Sequence, residues 1–317
     1  MFYIKKLYLK NFCQYHESTF DFTKKDGSPY NFISFFGPNG IGKSHLLEAI
    51  SLLTVDTSSR NSVLVNNSLQ KYIRNLNYDP LYHFIKKEDS LDMIIEGTFV
   101  YQDKDYVIKI NQDGLVRDDF CPISTDENNI KHTGPFGNDY LKYKKRMSHF
   151  VTNDTLKLHN FQIHKSHKDE FEKIISEITR YPVRCVETSN VFQSNNNAFG
   201  NEFYTDVVLE KKGHTIHYKR MSLGERKICK SFSDLLNLMV CLESDNMKYW
   251  PRILLMDEIE SHVYYDRHVR FIDCLKQVFA KQQIFATTHS GILVPRYLAN
   301  QHDSENELWI NLENVND

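Results

Sequence analysis

No stretch of this 317-residue chain approaches the roughly 20 consecutive apolar residues that a membrane-spanning helix needs, and its N-terminus carries no apolar signal-peptide core. Neither a membrane-embedded nor a secreted product is expected. Net charge is nearly absent too. The 39 Lys and Arg against 41 Asp and Glu leave −2, so no global basic field draws the protein onto nucleic acid. Its six cysteines (Cys13, Cys121, Cys185, Cys229, Cys241, Cys274) stand apart, without C-x-x-C pairs or metal-ligand spacing. Reduced, mostly packed thiols in a cytoplasmic protein are the expectation. There is no internal repeat and no sustained heptad, which excludes long coiled-coil arms. What remains is an ordinary globular composition, long enough for one large domain or two modest ones.

Against that background one stretch stands out. Gly37-Pro38-Asn39-Gly40-Ile41-Gly42-Lys43-Ser44 fits the phosphate-loop template G-x-x-x-x-G-K-[ST] at every fixed position. Upstream, Asn31–Phe36 reads as a short buried strand. Downstream, Leu46, Leu47, Ala49, Ile50 and Leu53 recur at helical spacing, so the loop runs from a strand into a helix N-terminus. Glycines there let backbone amides wrap a polyphosphate, and the helix dipole adds a favourable field. Asn39, Gly40, Gly42, Lys43, Ser44 and His45 form the expected phosphate site, with Lys43 neutralising the β- and γ-phosphates and Ser44 a ligand for Mg²⁺. The competing structural reading is a glycine-rich turn before an ordinary helix.

Before the loop, Phe2, Ile4, Leu7, Leu9 and Phe12 alternate with lysines, predicting a half-buried strand, a turn at Gln14–His16 and a returning strand over Thr19–Phe22. Residues 54–80 are polar, with a short helix expected near Leu69–Leu76. Leu91–Phe99 and Tyr106–Ile110 predict a hairpin, and Asp113–Asn138 an irregular excursion. Lys142, Lys144, Lys145 and Arg146, laced with Tyr140 and Tyr143, form the densest basic cluster. It reads either as a DNA or RNA contact or as a solvated helix face. Ser166–Arg180 is an amphipathic helix ended by Tyr181-Pro182, and Phe203–Leu209 with Thr215–Tyr218 forms a second hairpin turned at Lys211–Gly213.

The second half of the chemistry lies further on. Arg252–Glu258 reads as a buried parallel strand ending in two carboxylates. Beside a phosphate loop, Asp257 is assigned to the magnesium ion and Glu258 to the general base that activates water. Ser222 followed by Glu225 is a capping box opening a helix whose stripe is Ile228, Phe232, Leu235, Leu236 and Met239. That helix N-terminus also offers amides and a hydroxyl to an anion. Gln283–Thr288 is one more β-rich run, delivering His289 to a strand end.

The ordered set GPNGIGKS, SLGER, ILLMDE and TTHS resembles the ATP-binding-cassette ATPases, and within them the soluble branch of SMC, RecF and the OLD-type and Septu-type defence ATPases. Leu7–Phe12 is similar to the N-terminal strand of that branch, and Glu258–His262 to its segment after the carboxylate strand. The resemblance implies an α/β fold: a P-loop NTPase head of the ABC kind, with a mixed-sheet core, an antiparallel β lobe, a helical and irregular insertion and no long coiled coil. It implies a single head over 1–317, its catalytic core drawn from 1–55 and 203–317 and an inserted lobe over 56–202. It further implies an ATP- and Mg²⁺-dependent homodimer. Ser222 and Gly224 of one copy then contact the γ-phosphate held by the Lys43 of the other, and His289 serves as the switch histidine. Ser261 and His262 would lie along the dimer seam, and Gln162, with Gln193 as rival, would sense Mg²⁺ and γ-phosphate. Two positions depart from the branch: Cys13 stands where many relatives carry Arg, and Tyr265 lies near where they carry Pro.

Three functions follow from that resemblance. In the first, ATP-driven dimerisation controls a separate effector, such as a nuclease, in a bacterial anti-phage defence system; with so few residues after His289, no appended nuclease module is expected. The alternative is a RecF-like ATPase whose output is DNA binding in repair. The third, a membrane transporter's nucleotide-binding subunit, fits the N-terminal strand and the irregular middle poorly.

Overall fold

The computed structural model describes residues 2–54, 92–111, 114–120, 123–126, 129–132, 147–151, 158, 161–186, 203–243, 253–261, 263–291, 293–295 and 306–315. The expected helix near Leu69–Leu76 and the Tyr140–Arg146 basic cluster lie outside these residues, as do Gln193 and His262. The chain divides into two compact units, one made of Met1–Thr155, Pro251–Ile259 and Ala280–Asp317, the other of Leu156–Trp250 and Glu260–Phe279. Among the described residues no helix is long and apolar enough to cross a membrane.

The first unit carries two five-stranded sheets. One is antiparallel, with Tyr15–Asp21 at its edge, then Phe2–Phe12, Ile94–Tyr101, Lys104–Asn111 and Gly114–Asp118. The alternation in the first strand breaks its two-residue period between Ile4 and Leu7, and the pairing register shifts there, between Ile4 and Lys6. A bulge of this kind keeps both side chains on the core face. The backbone it disturbs is compensated from the other sheet: the Ile4 amide donates to Gln283 Oε1 at 2.8 Å, and Gln283 Nε2 donates to the Ile4 carbonyl at 3.0 Å. Among the described residues of 113–138, a stretch expected to be irregular, are three strands, Gly114–Asp118, Ile123–Asp126 and Asn129–His132. Their Asp and Asn content follows turn chemistry, whereas cross-strand pairing decides the local structure.

The second sheet runs in the order Glu307–Asn311, Phe32–Phe36, Gln283–Thr288, Ile253–Met256, Ser148–Val151, and every pairing in it is parallel. Its three central strands are buried at every residue, as strands covered on both faces must be, and so read as apolar runs rather than alternations. Phe20 from the antiparallel sheet, and Phe22 just past the end of its strand, pack on Phe35 and Phe285 from the parallel one; the Phe22–Phe285 rings cross edge-on at 4.9 Å. Such pairs add roughly 0.5–1.5 kcal/mol each beyond area burial. Helix Lys43–Thr54 also packs on the antiparallel sheet, and Gly97 makes room for it: a Cβ there would lie 2.7 Å from Leu53 Cδ1.

The second unit is built on a three-stranded antiparallel sheet, Val183–Val186, Asp206–Lys211 and His214–His217, turned at Lys212 and Gly213, both at positive φ. Helix Lys168–Thr179 buries the expected stripe of Phe171, Ile174, Ile175 and Ile178. It ends one residue before the expected Tyr181-Pro182 stop, on Arg180 in the left-handed region, whose amide donates back to the Ser176 carbonyl. Helices Leu223–Glu243 and His268–Val278 lie against it, with Phe232 and Phe271 meeting edge to face at 5.4 Å.

Candidate functional site

Parallel sheets present their strand carboxyl ends as a ligand crevice, and the loop of the first unit leaves the sheet at that end. Phe36 closes its strand, and Gly37, Gly40 and Gly42 then adopt φ of 144°, 80° and 103°, a region that side chains resist. At Gly42 the constraint is also steric, since a Cβ there would fall 1.4 Å from Gln14 Nε2. Asn39 and Gly40 form the exposed tip. Lys43, buried at 5 % exposure, donates from Nζ to the carbonyls of Gly37 and Pro38, both at 2.8 Å. The loop thus curls around its own ammonium group, which holds the cation where phosphate oxygens could replace the two carbonyls.

The carboxylate strand comes to the same place. Ser44 Oγ donates to Asp257 Oδ1 at 2.9 Å, joining the first helical turn after the loop to the strand end 213 residues later. A hydroxyl and a carboxylate are hard oxygen donors, and Mg²⁺ is commonly held by one or two protein oxygens with waters completing its shell. Ser44 and Asp257 therefore fit that ion. Glu258 follows with φ of +47°, a conformation costing a non-glycine residue on the order of 1–3 kcal/mol. His289 stands exposed just past the neighbouring strand Gln283–Thr288.

Three neighbours escaped the sequence reading. Tyr15 is fully buried and its hydroxyl donates to the Gly42 carbonyl at 3.1 Å. Gln14 accepts from His45 Nδ1 at 2.7 Å through Oε1. Burial pushes the His45 pKa down against the countering charge of Asp257, so the ring is a neutral donor there. Both contacts depend on the turn after the first strand folding over the loop, which no local pattern reports. The third is Glu48, one helical turn beyond Ser44. Burial, then the charge of Asp257, raise its carboxyl to about 7.

Because the folded pKa of Glu48 lies above its ordinary 4.5, the native state keeps a proton that the unfolded chain releases between those values. Stability from this group is full below pH 4.5 and is lost as pH rises through about 7. Glu48→Gln should therefore stabilise the magnesium- and nucleotide-free protein at pH 8 by on the order of 2 kcal/mol, and hardly at all at pH 4. Urea denaturation of both proteins at the two pH values measures the difference; a gain independent of pH would contradict the raised pKa.

In the second unit, Ser222 and Gly224 open helix Leu223–Glu243 through a complete capping box. The Ser222 amide and hydroxyl donate to Glu225 Oε2 at 3.0 and 2.8 Å, and the Glu225 amide donates back to Ser222 Oγ at 3.3 Å. Burial alone would raise the Glu225 pKa. The Ser222 hydrogen bonds and the cations of Lys211 (3.5 Å) and Arg267 (3.6 Å) outweigh it and hold the carboxyl below its ordinary value. Leu223, Tyr264 and Tyr265 are exposed beside this junction at 41 %, 60 % and 54 %. Gln162 is exposed, its carbonyl accepting from Asn237 at 2.7 Å, and Ser261 is half-buried.

A parallel sheet ending in a glycine loop, a Lys-Ser pair and two strand-end carboxylates defines a P-loop NTPase head. A sequence model of the AAA domain matches residues 6–286, and the chain belongs to that family of ATPases. Septu protein PtuA of Bacillus mycoides (strain KBAB4) is 23% identical over 311 residues, 92% of this chain, which spans only 38% of that relative's length. Among solved structures, the SMC head domain from Thermotoga maritima is similar with a TM-score of 0.51 and 16% identity, over 92% of this chain and 91% of that one. The Pyrococcus furiosus Smc head domain bound to the C-terminal domain of ScpA is also similar, with a TM-score of 0.51 and 13% identity, over 93% and 92% of the two chains. The fold is that of an SMC-like ATPase head, as the motifs implied.

Proposed function

We propose that the chain binds ATP at Asn39–His45 and hydrolyses it, and that the two units work together as one head in an ATP-dependent homodimer. The observation that carries this reading is the Ser44–Asp257 hydrogen bond, which puts phosphate loop and carboxylate strand into one site. Lys43 compensates the β- and γ-phosphate charge, and Ser44 and Asp257 hold Mg²⁺, with Gln162 as a further sensor. That ion would supply charge neutralisation for the phosphates. Glu258 takes a proton from water as its oxygen bonds to the γ-phosphorus; the bond to the bridging oxygen breaks, its electron pair leaving with ADP. His289 steadies the γ-phosphate.

Ser222 and Gly224 of each copy reach the nucleotide on the other. Two features support this: the pre-formed Ser222–Glu225 cap, and the exposed Leu223, Tyr264 and Tyr265 around it. Closure of the dimer then governs a separate effector such as a nuclease, in a cytoplasmic anti-phage defence system. The likeness to Septu protein PtuA favours the defence setting. A head that docks another protein has a parallel in the Smc–ScpA structure.

Purified protein incubated with ATP and magnesium is expected to release phosphate while leaving added plasmid DNA intact. Robust cleavage by this protein alone would overturn the separate-effector reading, and steep salt-sensitive DNA binding only with ATP would favour a RecF-like output.

A further inference from the structure

Two carboxylates at a strand end serve hydrolysis only if each is held in its own place, and one buried residue ties that turn down. Thr287 has no exposed surface and sits on Gln283–Thr288, between the loop strand and the carboxylate strand. The parallel register pairs Met256 with Ala286, which brings the residues after Met256 alongside Thr287. Its hydroxyl donates to Asp257 Oδ1 at 2.6 Å. A hydroxyl has one hydrogen, so toward the Glu258 amide, 2.7 Å away, the same oxygen is the acceptor. The Thr287 carbonyl accepts from the Ile259 amide at 3.1 Å. Three consecutive residues, Asp257, Glu258 and Ile259, are thus bound to one side chain and its own carbonyl. The adjacent Thr288 has a different task, accepting from the Ser290 amide at 3.0 Å.

We propose that Thr287 is the positioning residue of the carboxylate turn, holding Glu258 in its left-handed conformation and fixing Asp257 independently of Ser44; this rests on the ATPase reading above. Both hydroxyls, of Ser44 and Thr287, converge on Asp257 Oδ1. Were Ser44 to turn to a metal ion, Thr287 would still hold the carboxylate. A positive φ at a non-glycine residue persists only where its surroundings over-determine it. The hydrogen bonds to the Glu258 and Ile259 amides do so from one side.

Thr287→Val keeps the branched shape but removes donor and acceptor, and Thr287→Ser keeps the hydroxyl. The Val variant is expected to lose roughly 10- to 100-fold in kcat with KM for ATP within about threefold, and the Ser variant to return to within about threefold of the parent. Hydrogen exchange read by NMR or mass spectrometry should show the Glu258 amide losing protection in the Val variant, while the Ile259 amide, bound to a carbonyl, keeps it. Three results overturn the proposal: unchanged kcat in the Val variant, no recovery in the Ser variant, or a Glu258 amide as protected as before. If the parent protein itself releases no phosphate, the ATPase reading fails first. Exchange at Glu258 then decides the clamp alone, unchanged protection in the Val variant sinking it.

Discussion

Glu258→Gln is expected to bind ATP nearly as well as the parent protein, to release phosphate at least ~100-fold more slowly, and to accumulate as a closed pair of chains. The substitution is close to isosteric. It leaves the Glu258 amide bonded to Thr287 and does not touch Ser44 or Asp257. What it removes is a group able to take a proton from the attacking water, and positioned general bases contribute ~100-fold or more. With hydrolysis blocked, the nucleotide that is proposed to hold two copies together would not be consumed. Light scattering with and without ATP reads the result directly as a doubling of mass. Normal turnover in this variant would show that Glu258 is not the base.

Lys43→Ala has a different signature, because its loss acts before any chemistry. Lys43 is nearly buried, and its ammonium group already lies between the Gly37 and Pro38 carbonyls. Phosphate oxygens that take over those contacts gain charge-assisted bonds worth roughly 1.5–3 kcal/mol each. Removing the ammonium should weaken nucleotide binding by ~100-fold or more, since every 1.4 kcal/mol is about a factor of ten. No closed pair should then form at any practical ATP concentration. Titration with a fluorescent ATP analogue tests this; an affinity within about threefold of the parent would remove Lys43 from the phosphate site. The two variants together separate binding from hydrolysis, since only Glu258→Gln should retain the nucleotide.

The parts of this molecule that were legible in the sequence are those whose geometry is written in consecutive residues. The loop Gly37–Ser44, the buried strand Gln283–Thr288 and the stripe Phe171, Ile174, Ile175 and Ile178 each depend on local periodicity or on a short covalent pattern. The hairpin turn at Lys212-Gly213 was readable from Gly213, which takes its positive φ without steric cost. What stayed hidden depends on register between distant segments. Thr287 lies within the recognised TTHS run, yet its tie to Asp257 follows from a parallel pairing 30 residues apart in sequence. Gln14 reaches His45 only because the first hairpin folds onto the loop. Ile123–Asp126 and Asn129–His132 were missed because their turn-forming residues outweigh a weak strand signal.

The strand Phe32–Phe36, which carries the loop, is buried at every residue, and both of its partners, Gln283–Thr288 and Glu307–Asn311, come much later in the chain. During synthesis it therefore leaves the ribosome with neither edge satisfied and waits until Gln283–Thr288 has been made before it can pair. Contacts so distant in sequence form slowly, and an apolar strand with open edges is prone to stick to others like it. A nascent chain stopped before Gln283 should thus be a client for chaperones rather than a nucleotide binder, and slow translation of the stretch between Phe36 and Gln283 would prolong its exposure.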